Sequence, residues 1–218
     1  MAEILTAEER AREHQPRVVL RHTFGIRVMH WWTAVTFIYL LLSGFALGYP
    51  RMAWLQDLMG GGQSVRFLHP WVGLGFVVGF GFMLVLWLRQ MTFQSEDREW
   101  FRQLGKYVRT GHTDTDTDKW NGGQKSYYWF TIINGFLLLL TGIPLWFPDL
   151  LPRQLNLISR FGHHGLFLLA AGFFVIHVYL STAAFPGTFR SMTSGTVERA
   201  WAAFHHPRWF RRLERKSE

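Results

Sequence analysis

The stretch "FGHHGLFLLAAGFFVIHVYL", residues 161–180, contains three histidines and no charged side chain. His163 and His164 stand near its start, and His177 lies near its end. The stretch belongs to a longer uncharged run, residues 161–189. About 20 mostly apolar residues are enough for a helix to cross the hydrocarbon core of a membrane. The run therefore predicts a membrane-spanning helix whose imidazoles need partners, because polar groups inside a membrane are costly.

Three further uncharged runs have a similar length: residues 28–50, 67–88 and 126–148. Strands of a membrane β-barrel would be about half as long and would alternate in polarity, which these runs do not. The first 27 residues are polar and charged, so they do not form a cleaved signal peptide. The sequence predicts an all-α membrane protein, a four-transmembrane-helix bundle that occupies residues 1–218 as a single domain.

Lysine and arginine are distributed unevenly between the two sides that four spans would create. The tail 1–27, the loop 89–125 and the tail 190–218 hold 5, 7 and 7 of the 23 Lys and Arg residues. The basic side of a membrane protein faces the cytoplasm, so both termini and this loop are predicted to be cytoplasmic. The formal net charge of +8 could also indicate binding to nucleic acid or anionic lipid. The four apolar runs favour a membrane protein without a nucleic-acid partner.

Three polar segments receive simpler predictions. Residues 95–108, "SEDREWFRQLGKYV", predict a helix on the inner membrane face with Ser95 as its N-cap. The basic segment 205–216, "HHPRWFRRLERK", predicts a similar helix or a dock for a partner. Residues 113–118, "TDTDTD", lack the glycine and glutamate that an EF-hand loop needs, and they are predicted to be a solvated linker.

The histidines of the spans fall into two depth-matched pairs. His30 lies near the inner start of the first span, and His69 lies near the outer start of the second. His177 follows His163 by 14 residues, which places it about 21 Å deeper, toward the inside. His69 therefore shares the outer level with His163 or His164, and His30 shares the inner level with His177. The remaining histidines lie in polar segments and are predicted to be on the surface: His14, His22, His112, His205 and His206.

Two imidazoles from facing helices are the axial ligands that a b-type haem takes in a bundle core. Fourteen helical steps return His177 to within about 40° of the direction of His163, whereas His164 misses that face by about 140°. This favours His163 as the ligand and gives His164 a polar or haem-propionate contact at most. Zinc, a proton relay and plain hydrogen bonding between helices are the alternatives. A relay would need nearby carboxylates, and the four uncharged runs contain none.

The segment "KWNGGQKSYYW", residues 119–129, precedes the third span at the level predicted for His177. The side-chain amides of Asn121 and Gln124 could hydrogen-bond a quinone carbonyl, and the two glycines would allow close approach to the backbone. The alternative is a glycine-rich turn that caps a helix.

Five features of the chain resemble one family, and they occur in the same order over nearly its whole length. They are "IRVMHWW", "RFLHPWVG", "NGGQK", the spacing of His163 and His177, and "HHPRWF". Together they resemble the b-type cytochrome (gamma) subunit of respiratory membrane-bound formate dehydrogenases. The resemblance implies that His30 and His177 ligate the iron of an inner haem and that His69 and His163 ligate that of an outer one. It also implies a quinone pocket at the positions of Asn121 and Gly123, close to His177, and Gln124 is added because of its proximity.

The family's activity supplies the expected function. Such a subunit anchors a formate dehydrogenase in the bacterial cytoplasmic (inner) membrane and carries two haem b groups in anaerobic respiration. It passes electrons from a periplasmic iron–sulfur (beta) subunit, beside a molybdenum or tungsten catalytic (alpha) subunit, to menaquinone or ubiquinone at the cytoplasmic face. The resemblance further implies a higher oligomer of heterotrimers, and it implies that this chain does not itself oxidise formate.

Other functions remain open from the sequence. They are a diheme anchor of a nickel–iron hydrogenase or thiosulfate reductase, a standalone diheme quinone oxidoreductase, and a haem-free structural anchor. The chain has no cysteine, which excludes cysteine-ligated zinc or iron–sulfur clusters within it.

Overall fold

A computed structural model describes residues 17–217, so residues 1–16, with His14 and most of the predicted N-terminal tail, lie outside the described part. In chain order its elements are β1 (Val18–Leu20), α1 (Phe24–Gly48), a 3-10 turn (Pro50–Met52), α2 (Leu55–Leu58), α3 (Gly62–Trp87), α4 (Ser95–Arg102), α5 (Leu104–Thr110), α6 (Gly122–Trp146), a second 3-10 turn (Pro148–Leu150), α7 (Arg153–Tyr179), a π-helical turn (Leu180–Ala184), α8 (Arg190–Thr193), β2 (Thr196–Glu198), α9 (Arg199–His205) and α10 (Pro207–Ser217).

Four of these helices, α1, α3, α6 and α7 with its π-helical turn, are long and apolar enough to cross a membrane. The predicted α-helical architecture with four spans is confirmed. Each helix begins before the uncharged run that predicted it, so that Arg66 lies within α3 and Lys125 within α6. The difference has a simple cause, because a helix ends where its backbone hydrogen bonds are capped and not where the first charge occurs.

The four long helices associate mainly as two pairs. α1 packs along α3, α6 packs along α7, and α3 also contacts α6, whereas α1 and α7 touch over a shorter length. A Cβ atom added to Gly79 of α3 would lie 2.6 Å from the Thr33 hydroxyl oxygen, so this glycine permits the close approach of α1 and α3. Large apolar side chains point outward from the bundle, among them Val85, Phe161 and Val175. An apolar exterior of this kind suits a lipid surrounding.

A polar cap, formed by residues 17–23, 88–121 and 185–217, covers one end of the bundle. Strand β1 pairs antiparallel with β2, with Val19 opposite Val197. The Arg21 guanidinium donates a hydrogen bond of 2.8 Å to the carbonyl oxygen of Lys119. The first described residues, the loop between the second and third spans and the C-terminal segment therefore lie at the same end. This arrangement agrees with an even number of spans.

The segment 113–118 is not the solvated linker that its composition predicted. Its three threonines are buried, while Asp116 and Asp118 form ion pairs with arginines of α10. The backbone amide of Arg208 also donates to the carbonyl oxygen of Thr117, at 3.1 Å. The buried threonines alternate with the aspartates, and Asp116 and Asp118 face α10, whereas Asp114 pairs with Lys106 of α5.

Two histidines predicted to lie on the surface, His22 and His206, are buried in the polar cap. Burial and the positive charges of Arg21 and Lys119 lower the pKa of His22 to about 2. Burial also lowers the pKa of Arg21 to about 9. The guanidinium carbon of Arg21 lies 5.0 to 5.4 Å from three indole ring centres, those of Trp120, Trp201 and Trp209. The basic C-terminal segment therefore packs against its own chain through an aromatic cage.

The helix predicted over residues 95–108 is divided into α4 and α5 at Gln103. Gln94, and not Ser95, is the N-cap of α4, and Asp97 completes the capping box by accepting from the Gln94 amide at 2.7 Å. The same carboxylate accepts a hydrogen bond of 2.6 Å from the Lys125 ammonium at the start of α6. Helix α4 is therefore held to the third span and does not simply lie on a membrane surface.

Acid is expected to loosen the docking of α10. Burial raises the pKa of the Asp116 carboxyl, but hydrogen bonds from Arg211 and Arg208 outweigh this and hold the pKa below its usual value. A depressed pKa in the folded state means that these ion pairs stabilise the docked helix above the ordinary aspartate pKa and are lost as the pH falls through the folded-state value. A spin label at the exposed position Lys216 should therefore gain mobility as the pH falls below about 4.

Two variants test the origin of that change. Asp116→Asn should already show a mobile label at neutral pH. Asp149→Asn, at the opposite end of the bundle, should leave the label as immobile as in the parent chain. Equal mobility in the parent at neutral and acid pH would show that these ion pairs do not hold α10.

Candidate functional site

The four histidines predicted as a ligand set face one another in two pairs. His30 of α1 and His177 of α7 have their ring centres 6.3 Å apart. His69 of α3 and His163 of α7 have their ring centres 6.4 Å apart. Each histidine pair connects α7 with one helix of the α1–α3 pair, at the boundary between the two helix pairs. The structure thus brings together the residues that helix depth alone had matched.

The spacing within each pair suits one metal atom between two imidazoles. A metal–imidazole bond is about 2.0–2.1 Å long, and two such bonds plus the distance from each nitrogen to its ring centre span a separation of this size. Among residues 17–217 no group of three or more His, Cys, Asp or Glu residues could hold a metal ion. A zinc site made of protein ligands needs three or four of them, whereas two axial imidazoles complete the ligation of a bis-histidine haem. Both pairs therefore fit haem better than zinc.

Each histidine of the His69–His163 pair, predicted to be the outer pair, has a hydroxyl partner. The Ser43 Oγ lies 2.6 Å from the Nδ1 atom of His69. The Thr141 Oγ1 lies 3.0 Å from the Nδ1 atom of His163. Ser43 is completely buried. Partners of this kind orient a ligating imidazole and select which of its nitrogens faces the metal. The sequence did not single out these two hydroxyls, because serine and threonine are common in membrane helices.

The inner histidines have different surroundings. The Nδ1 atom of His30 is buried and has no hydrogen-bond partner among the described residues. The ring of His177 stacks on that of Tyr127, with ring centres 4.6 Å apart and planes 8° from parallel. The inner pair is thus held by packing, and the outer pair by hydrogen bonds.

His164 points away from the pair formed by its neighbour. Its Nδ1 atom lies 2.8 Å from the Arg160 carbonyl oxygen, and its ring meets the Tyr49 ring edge-on. A Cβ atom added to Gly48 would lie 2.9 Å from its Nε2 atom, so the ring packs against the end of α1. The structure therefore places His163, and not His164, opposite His69.

The predicted quinone residues begin α6. Asn121 is its N-cap: the Oδ1 atom accepts from the backbone amide of Gln124 at 2.9 Å, and the Gln124 Oε1 atom accepts from the backbone amide of Asn121 at 3.1 Å. The helix-capping alternative is therefore observed. The cap uses both amide oxygens, so the NH2 groups are the side-chain donors, and the Asn121 side chain also hydrogen-bonds Tyr107.

Trp100 of α4 covers the two glycines that follow Asn121. Added Cβ atoms on Gly122 and Gly123 would lie 2.9 and 2.8 Å from its indole. Glycine at both positions lets the indole lie flat on the backbone. Neither Trp100 nor the Asp97–Lys125 pair was predicted from the sequence, although two adjacent glycines before an apolar helix were a usable signal for a close-packed ring.

The chain is similar to a family of known proteins. Residues 21–195 match the family described as prokaryotic cytochrome b561. The chain is 30% identical over 203 residues to the nitrate-inducible formate dehydrogenase cytochrome b556(Fdn) subunit of Escherichia coli (strain K12), with 91% of this chain and 93% of the relative covered. It is 32% identical over 203 residues to the formate dehydrogenase cytochrome b556(fdo) subunit of the same organism, with 92% and 95% covered.

A third relative is the formate dehydrogenase cytochrome b556 subunit of Haemophilus influenzae, 29% identical over 198 residues, with 88% of this chain and 82% of the relative covered. The resemblance inferred from the sequence motifs is confirmed by these matches.

Proposed function

We propose a function on the premise that this chain belongs to the prokaryotic cytochrome b561 family, whose model it matches over residues 21–195. The family implies haem b, and the four apolar helices imply a multi-pass membrane protein. From this premise we infer that the chain is the membrane anchor and electron-transfer subunit of a formate dehydrogenase in a bacterial cytoplasmic membrane. The names of the similar proteins, each a formate dehydrogenase cytochrome subunit, support that partner.

The observation that carries the proposal is the spacing of the two histidine pairs, 6.3 and 6.4 Å between ring centres. His30 and His177 would hold the inner haem iron, and His69 and His163 would hold the outer one. When bound, two haems would carry electrons singly from a periplasmic iron–sulfur subunit toward quinone at the cytoplasmic face. Helix α7 contributes one ligand to each pair, so its straightness sets the distance between the two sites.

Quinone would bind beside the inner pair, at the start of α6. The NH2 groups of Asn121 and Gln124 are the donors that a menaquinone or ubiquinone carbonyl requires. The backbone at Gly123 can approach a ring closely because it carries no side chain. Since Trp100 covers these glycines, access for quinone requires that the indole move or that the ring enter from the side of His177.

The proposed role of this chain is electron transfer and not the oxidation of formate. It has no cysteine to ligate an iron–sulfur cluster, so the iron–sulfur and the molybdenum or tungsten catalytic subunits would be separate chains. A higher oligomer of heterotrimers is part of the same proposal and rests on the family resemblance.

Purification from the native membrane tests the assignment. We expect two b-type haems per chain in a dithionite-reduced minus oxidised spectrum, together with co-purifying formate dehydrogenase subunits. Subunits of a hydrogenase or thiosulfate reductase would redirect the proposal. A chain that purifies alone and oxidises or reduces quinone, or one without b-type bands, would overturn it.

Replacing Asn121 tests the quinone site. Asn121→Ala should weaken binding of a quinone-site inhibitor by about tenfold, because a buried donor is lost, and should spare both haems. Binding is measured from quenching of inhibitor fluorescence in the purified complex. Asn156→Ala is the matched control, since the Asn156 amide lies at the outer end of the bundle, where it donates to the Pro148 carbonyl oxygen. Unchanged inhibitor affinity in Asn121→Ala would reduce this residue to a helix cap.

A further inference from the structure

The two histidine pairs differ in what their Nδ1 atoms contact, and this difference has a redox consequence. We propose that the hydroxyls of Ser43 and Thr141 hold the outer histidines in one tautomer and lower the reduction potential of the outer haem below that of the inner haem. The inference rests on the proposed function, because it presupposes a haem at each pair. Ser43 and Thr141 are thus positioning residues that act through the ligands.

The direction of the hydrogen bond between Ser43 and His69 depends on which atoms carry protons. A hydroxyl carries one proton and can donate only once. The Ser43 Oγ donates to the carbonyl oxygen of Leu40 at 3.2 Å. Its lone pairs are what remain for the Nδ1 atom of His69 at 2.6 Å. When His69 binds iron through Nε2, its Nδ1 atom carries the proton, and Ser43 can accept from it while donating its own proton to Leu40.

The same count applies to Thr141. Its single hydroxyl proton is shared within α6 between the carbonyl oxygens of Leu137 and Leu138, at 2.8 and 3.2 Å. With His163 bound to iron through Nε2, Thr141 can accept from its Nδ1 atom at 3.0 Å, and the Leu138 backbone is a second partner of that imidazole. Two hydroxyls on two different helices, α1 and α6, select the same tautomer in the two members of the outer pair.

This tautomer leaves the Nε2 lone pair of each outer histidine free for iron. A hydrogen bond from the remote N–H makes an imidazole more basic and a stronger donor to the metal. Stronger donation favours ferric over ferrous iron, so hydrogen bonding around the ligands lowers the potential of a haem.

The histidines of the inner pair have no hydroxyl partner among the described residues. Among the described residues no hydroxyl bonds to His30, whose Nδ1 atom is buried without a partner, and His177 is held by the ring of Tyr127. The inner haem should therefore be the easier one to reduce. The difference in reduction potential would then favour electron transfer from the outer to the inner haem. The negative-inside membrane potential opposes this transfer.

Potentiometric titration of the purified complex, followed by the b-type absorbance bands, tests the inference. Ser43→Ala and Thr141→Val should each raise the midpoint of the lower-potential haem. In the double variant, the ferric-to-ferrous ratio of the lower-potential haem should change by about tenfold at a fixed potential. This corresponds to a midpoint shift of about 59 mV for a one-electron couple. The higher-potential haem should not move.

Two control variants separate the hydrogen bond from general packing. Thr36→Val removes a hydroxyl of α1 that bonds to the carbonyl oxygen of Trp32 and to no histidine, so it should leave both midpoints unchanged. Thr141→Ser keeps the hydroxyl and should keep the parent potential.

The outcomes distinguish this inference from the proposed function. Two haems with unchanged midpoints in either single variant would overturn the inference and leave the proposed function intact. If one variant fails to assemble, the other decides, because the two hydroxyls lie on different helices. A parent complex without b-type haem would overturn the proposed function itself.

Discussion

His177→Ala is expected to remove one of the two haems and to abolish quinone reduction. His177 lies on α7 and pairs with His30, and their ring centres are 6.3 Å apart. Alanine supplies no ligand in its place. The outer pair contacts none of the changed atoms, so the outer haem should stay. Haem content per chain, measured as the pyridine haemochrome, should fall by half, and electrons from formate should stop before the quinone.

His164→Ala is the matched control, because it removes a second histidine from the same helix. His164 faces the end of α1, so this variant should keep both haems. His177→Met adds a graded test: methionine can ligate haem iron and raises its potential, so both haems should remain with one midpoint raised. Two intact haems in His177→Ala would show that the proposed pairing is wrong.

Asp97→Asn is expected to produce the largest loss of stability. The Asp97 carboxylate and the Lys125 ammonium are 2.6 Å apart, and their side chains are only 5% and 6% exposed. Asparagine leaves the ammonium buried without a counter-charge, and breaking a buried pair in this way costs about 3–5 kcal/mol. The capping box of α4 is weakened by the same change. Thermal unfolding of the complex in detergent should therefore begin at a clearly lower temperature.

Two comparisons isolate the buried charge. Glu99→Gln breaks the ion pair with Arg102 on the same helix, where both side chains are exposed, and it should not change the melting temperature measurably. The double variant Asp97→Asn/Lys125→Met removes the unpaired charge together with its partner, and it should recover much of the lost stability. A double variant as unstable as Asp97→Asn would mean that capping of α4, and not the charge, is decisive.

The predictions from sequence succeeded where the property runs along a single helix. Apolar length identified the four spans, and the 14 residues between His163 and His177 placed two histidines on one face of α7. The choice of His163 over His164 also followed from helical rotation, and the structure shows the two rings pointing in different directions. These properties depend on local backbone geometry, which neighbouring residues determine.

The predictions failed in the polar cap, where composition suggested solvent. The buried His22 and His206 and the threonines of residues 113–118 were all expected to be exposed. Segments distant in the chain cover them, as when the His206 Nδ1 atom lies 2.7 Å from the Asp118 carbonyl oxygen and the Arg208 amide donates to the Thr117 carbonyl oxygen. Polar residues alone do not reveal whether another polar segment will fold over them.

Apolar run length, helical period and motifs were enough to predict the number of spans, the two pairs of span histidines and the family. The groups around the predicted sites follow from tertiary packing: Ser43 and Thr141 contact the outer pair, Tyr127 contacts the inner pair, and Trp100 covers the start of α6. The physical reason is that hydropathy and helical period set the depth and face of a residue along its own helix. Its contacts depend on how neighbouring helices are rotated and how closely they approach, and that is settled by packing between residues far apart in the chain.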